Sequence, residues 1–141
     1  MTGIKTYFDT AIFIYALELK MKEARDLFTG ALQQGTVGTS AITIMEYTTG
    51  CFKNGTQKDI DRFNKFLTDL MFEVKNVDRE VAVEAARIRA EYPYFKQMDS
   101  LQIASAKVAG ADVFYTNDKQ LLQYKDDGMK VIKLETTAIF D

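Results

Sequence analysis

Histidine is missing from all 141 residues, and there is one cysteine and one proline. Without histidine the chain cannot build a Ser-His-Asp or Cys-His nucleophilic centre of its own, nor any zinc site that needs imidazole. Cys51 alone makes neither a structural zinc site nor an internal disulfide, which agrees with a reducing, cytoplasmic setting. The phosphate-cradling patterns G-x-x-x-x-G-K-[ST] and G-x-G-x-x-G do not occur. No apolar run approaches the roughly 18 residues of a membrane span, and the opening "MTGIKTYFDT" lacks the basic and apolar regions of a signal peptide. Charge of one sign is also lacking. Eighteen basic against 20 acidic side chains leave a net charge of −2, which argues against a salt-driven, non-specific DNA binder. It leaves room for a local basic rim around an acidic pocket. For an enzyme of this composition, carboxylates and a hard metal are the chemistry available in quantity.

What is present reads as one α/β domain over residues 1–141. "IKTYF" (4–8), "FEVKNV" (72–77), "DVFYT" (112–116) and "KVIKL" (130–134) are β-prone runs. Between them, "KEARDLFTGALQQG" sets Ala24, Leu27, Phe28, Ala31 and Leu32 at helical spacing before a stop at Gly35. "TQKDIDRFNKFLTDL" does the same with Ile60, Phe63, Leu67 and Leu70 behind a Thr56 cap, and "DREVAVEAARIRAEY" with Val81, Ala85, Ile88 and Tyr92. Pro93 breaks that last helix. "DSLQIASAKVAG" predicts a small-residue helix ending at Gly110, and "DKQLLQY" a short helical turn. Strands alternating with helices imply a mainly parallel central sheet. "TVGTSAITIMEYTTG" (36–50) fits two patterns equally: a strand with Ile42, Ile44 and Glu46 on one face, or a helix over Ala41–Thr49 capped by Ser40.

Four acids stand in apolar surroundings. Asp9 ends the first strand, Glu46 interrupts "AITIMEY", Asp99 opens "DSLQIASA", and Asp118 follows "DVFYT" in "TND". Each has an ordinary explanation. Asp9 and Asp118 can cap the helices that follow them, Asp99 can be an N-cap completed by Gln102, and Glu46 can face solvent. Together they imply more, because parallel sheets bind ligands beyond the carboxyl ends of their strands. Clustered carboxylates repel unless a cation neutralises them, and oxygen-only sites suit Mg²⁺ or Mn²⁺.

"YFDTAIFIYAL", "TSAITIMEYTTG", "AARIRAEY" and "MDSLQIASAKVAGADVFYTND", in this order and spacing, resemble the PIN-domain ribonucleases, especially the small VapC-type toxins of toxin–antitoxin pairs. The resemblance covers essentially the whole chain. It implies a three-layer α/β/α sandwich, with 36–50 resolved as a short strand and then a helix carrying Glu46. It implies metal ligation by Asp9, Glu46, Asp99 and Asp118, with Asp9 and Asp99 holding the principal Mg²⁺ (or Mn²⁺). It implies cleavage of a phosphodiester in single-stranded or looped RNA to leave a 5′-phosphate, a homodimer, and a cognate antitoxin whose tail blocks the acidic pocket. Thr10 stands where many relatives have Ser. Gln120 stands where many have a further acid, which leaves one-metal and two-metal mechanisms open. Thr10, Thr116 and Asn117 are candidates for substrate contact; the last two fit equally the role of contacting substrate or orienting Asp118 and that of plain turn residues. Lys53, Lys96 and Lys119 are candidates for phosphate contact or plain surface charges. Two rivals stand beside this reading: an inactive PIN-like module that only binds RNA or protein, and an aspartyl phosphotransfer domain. The latter lacks its usual second acid, because Ala11 occupies that place in "DTA".

Overall fold

The computed structural model describes residues 3–135, so the domain limits expected at residues 1 and 141 lie outside the described residues. Five strands, β1 (Ile4–Phe8), β2 (Gly35–Ser40), β3 (Glu73–Lys75), β4 (Val113–Thr116) and β5 (Lys130–Lys133), form one sheet in the order β3-β2-β1-β4-β5. All four pairings are parallel. Six helices connect them: α1 (Thr10–Leu17), α2 (Lys22–Gln34), α3 (Ala41–Asn54), α4 (Gln57–Asp69), α5 (Arg79–Glu91) and α6 (Gln97–Val108). A single 3₁₀ turn, Leu121–Gln123, lies between β4 and β5. Among the described residues no helix is long and apolar enough to cross a membrane.

Alternation along the central strands divides the interior in two. Phe8 and Val37 face one side with Phe13, Phe28, Tyr47, Phe63 and Leu67, supplied by α1 to α4. Tyr7 and Phe114 face the other with Val81, Ile88, Ile103 and Ala106, supplied by α5 and α6. The first side is dense in rings: Phe8 and Phe28 lie 4.6 Å apart, and Phe13 meets Phe63 edge-on at 5.8 Å. Such tilted and edge contacts suit aromatic quadrupoles.

The helix boundaries follow local chemistry. Ser40 Oγ accepts from Ile42 N–H, so residues 36–50 are both a strand and a capped helix, divided at Ser40. Thr56 and Asp59 form a reciprocal capping box. Asp78 caps α5, which stops at Glu91 ahead of Pro93. Gly110 takes φ +80, letting Gly110 N–H reach Lys107 C=O and Ala111 N–H reach Ala106 C=O as α6 closes. The expected cap at Asp99 is a correction. The helix starts at Gln97, its N-cap position is Lys96, and Asp99 lies inside the first turn. The Asp99–Gln102 capping pair therefore does not form, and Gln102 bonds elsewhere.

Tyr7, Gly38 and Glu73 lie side by side in register across β1, β2 and β3. The buried Tyr7 ring passes over Gly38, and its hydroxyl donates to Glu73 Oε1 at 2.6 Å. A Cβ on residue 38 would sit 2.3 Å from Tyr7 Cε1. Gly38→Ala is expected to destabilise the protein by about 1–3 kcal/mol through overpacking. Urea denaturation checks this, and a Gly38→Ala/Tyr7→Leu double variant should lose less than the sum of the two single changes.

Candidate active site

Strand order places β1 beside both β2 and β4, so the chain winds away from β1 in both directions. In a parallel sheet that reversal opens a crevice at the carboxyl ends of the strands. Asp9 sits in it. Its N–H donates to Tyr115 C=O at 3.1 Å, and Thr39 Oγ1 donates to the preceding Phe8 C=O at 2.8 Å. Both neighbouring strands thus fix the backbone at Asp9. The side chain is buried, 8% exposed. Oδ1 caps α1 by accepting from Ala11 N–H at 3.0 Å, and Oδ2 accepts from the Thr116 hydroxyl.

The other three acids arrive from separate elements and line the same cleft, of about 310 Å³, with Asp9, Thr10, Tyr15, Gln102 and Asn117. Glu46 projects from the second turn of α3 and accepts from Thr10 Oγ1 at 2.5 Å. Asp99 comes from the first turn of α6. Asp118 follows β4, where its Oδ1 accepts from Gln120 N–H at 2.8 Å and its own N–H donates to Thr116 Oγ1 at 3.0 Å. Asp9 therefore combines the capping role with a place in the cleft, whereas Asp118 does not cap the 3₁₀ turn, whose N-cap position is Gln120, and like Asp99 has only its place in the cleft.

Burial pushes the Asp9 carboxyl up to about 7, with Thr116 and the Ala11 and Ile12 backbone opposing and Asp118 adding to the rise. Burial also raises the Asp99 carboxyl, the charges of Asp118 and Glu46 add to that rise, and Lys96 pulls it the other way. Mutual repulsion among hard oxygen donors, with no nitrogen or sulfur ligand near, is the donor chemistry that Mg²⁺ or Mn²⁺ relieves. As placed, the described residues hold no group of three or more such side chains already drawn in around one metal position. The cleft gathers the four acids along its lining rather than as a closed cage.

The remaining candidates divide. Thr116 is fully buried and spends its hydroxyl on Asp9, so it orients an acid and is closed to substrate. It holds Asp9 rather than the expected Asp118 carboxylate. Asn117 lines the cleft and accepts from Leu134 N–H at 3.0 Å, tying it to the end of β5. Thr10 sends its hydroxyl to Glu46. Gln120 offers Asp118 its backbone N–H, and its side chain is not among those lining the cleft. Lys96 and Lys119 are exposed next to Asp99 and Asp118, and Lys53 lies two turns beyond Glu46 on α3. Sequence reasoning missed Tyr15 and the buried Gln102. A glutamine inside the otherwise small and apolar "IASA" helix was the available signal.

A parallel α/β sheet with four carboxylates lining the crevice at its switch point defines an acid-cleft domain. The PIN domain family model matches residues 6–127, and the chain belongs to that family. Among curated proteins no sequence matches. Solved structures similar in fold include VapBC2 from Rickettsia felis bound to promoter DNA (TM-score 0.80, 17% identity, 94% of this chain and 100% of that one). DNA-bound VapBC from Salmonella typhimurium is similar as well (0.75, 23%, 93% and 98%). So is VapC20 from Mycobacterium tuberculosis, described as a toxin that cleaves the sarcin-ricin loop (0.64, 16%, 82% and 92%).

An acid whose folded pKa lies above its unfolded one binds its proton more tightly when folded. Its stabilising contribution is full below about pH 4 and is lost as pH rises through about 7. In metal-free buffer, wild type is therefore expected to lose stability relative to Asp9→Asn across that window, by on the order of 4 kcal/mol at 1.36 kcal/mol per pKa unit. Asparagine keeps the cap. Urea titrations in EDTA at several pH values give the difference, and added Mn²⁺ should stabilise wild type only.

Proposed function

We propose that the protein is a divalent-cation-dependent endoribonuclease, the toxin of a toxin–antitoxin pair. The observation that carries this reading is the convergence of Asp9, Glu46, Asp99 and Asp118 on one cleft at the sheet's switch point, within a PIN domain. Asp9 and Asp99 would hold the principal Mg²⁺ or Mn²⁺, with Glu46 and Asp118 completing the pocket directly or through water. When bound, such a cation activates water and offsets the charge that builds on a phosphodiester during in-line displacement.

The chain's own groups do the rest. Thr116 and the Ala11 N–H keep Asp9 aimed into the cleft, and Thr10 does so for Glu46. Lys96 and Lys119, exposed beside the acids, offer contacts to flanking phosphates of an RNA strand. The acids repel bare polyanions, so productive binding depends on the cation and on this rim. The phosphotransfer reading loses ground here. Its usual second acid, two residues after the first, is absent, because Ala11 occupies that place.

The partner reading rests on the neighbours, one of which is described as a toxin–antitoxin complex from Klebsiella pneumoniae. Beside the acid cleft runs a second groove lined by Ile14, Glu18, Glu46, Tyr47, Cys51 and Asp59. Glu46 borders both, so an antitoxin segment lying in the groove would reach the acids from the side. A homodimer is part of the same reading.

The test is cleavage of a panel of structured RNAs with Mg²⁺, Mn²⁺ or EDTA. Cuts leaving 5′-phosphates should appear only with metal. They should fall by at least about a hundredfold in Asp9→Asn and in Asp99→Asn, the scale on which metal-site changes act. Cleavage that survives in both variants overturns the reading.

A further inference from the structure

Beneath the acids lies a polar layer that the proposed chemistry does not touch. Gln102 is 3% exposed, and its carboxamide meets three hydroxyls. Ser40 Oγ donates to Gln102 Oε1 at 2.7 Å. Gln102 Nε2 lies 2.9 Å from Thr43 Oγ1 and 3.1 Å from Thr10 Oγ1. Thr43 Oγ1 is 2.8 Å from Thr39 Oγ1, and Thr39 bonds Phe8 C=O. Thr10 ends the other branch on Glu46.

Proton counting gives this network a direction. A carboxamide has two N–H donors and one acceptor oxygen, and each hydroxyl has one proton to give. Ile42 N–H already donates to Ser40 Oγ, leaving the Ser40 proton for Gln102 Oε1. Both amide protons then go to Thr43 and Thr10. These hydroxyls, acting as acceptors toward Gln102, pass their own protons onward: Thr43 to Thr39 and so to Phe8 C=O, and Thr10 to Glu46. With the amide reversed, its oxygen would face Thr10 and Thr43 and compete with Glu46 for the Thr10 proton. The direction seen satisfies every member, and no described buried side-chain polar atom lacks a partner.

We propose that Gln102 is a positioning residue: its carboxamide turns the Thr10 hydroxyl toward Glu46 and so holds that carboxylate on the cleft. This rests on the nuclease reading only in that Glu46 is one of the acids expected to serve the cation. A purely structural network would tie α3 to α6 and leave Glu46 indifferent to Gln102.

The experiment begins with NMR of the metal-free wild type. Nuclear Overhauser contacts should link the Gln102 amide protons to the Thr10 and Thr43 methyl groups, and their absence overturns the proposal. Gln102→Met and Thr10→Val should each displace the Glu46 Cδ resonance in the same sense, and the double variant should add nothing. An unmoved Glu46 resonance in folded Gln102→Met also overturns it. Should that variant not fold, the wild-type contacts and the Thr10 variants still decide. Calorimetry with Mn²⁺ alone is expected to show binding about tenfold weaker in Gln102→Met and in Thr10→Val, a typical outer-layer effect. Thr10→Ser, which keeps the hydroxyl, should restore it. A Thr10→Ser protein as weak as Thr10→Val counts against the proposal. Wild type that binds no Mn²⁺ would remove the cation reading, whereas the resonance measurements would still judge Gln102.

Discussion

Removing the Asp9 carboxylate from water is the constraint around which the rest of the molecule is arranged. Burying a charged carboxylate is costly without partners. The fold answers with an α1 amide, a β4 hydroxyl and a backbone fixed by both neighbouring strands. Those partners still leave its carboxyl up near 7. The residual cost falls on the ionised form, so this carboxyl holds its proton to a higher pH than an exposed aspartate does.

The same logic extends outward in layers. Asp118 and Asp9 share Thr116, so displacing β4 would disturb two acids together. Glu46 depends on Thr10, and Thr10 on Gln102, which joins α6 to the start of α3. The Asp9 and Glu46 carboxylates are thereby each held by an element other than their own.

Much of this was legible in the sequence because it depends on short-range chemistry. Strands β1, β3, β4 and β5, the Thr56 cap, the stop at Gly110 and the break at Pro93 all follow from a few adjacent residues, whereas the division of residues 36–50 at Ser40 came only with the family resemblance. The four acids were visible as charges in apolar settings. Three features were not legible. Lys96 and Gln97 carry no side-chain cap signal, so the start of α6 was placed at Asp99, the nearest residue of capping type. Ser40, Thr43 and Gln102 look like ordinary polar residues, and their partnership appears only when β2, α3 and α6 meet. Thr116 looked like a turn residue open to substrate because nothing local reveals that a strand end is sealed on both faces.

Two cores on opposite faces of one sheet have an evolutionary consequence. Glu46 belongs to the ring-rich side and Asp99 to the α5–α6 side, and the two buried clusters share no residue. Substitutions can accumulate on either face without a matching change on the other, provided each side keeps its volume. This gives the lineage two separate reservoirs of neutral variation around one fixed seam.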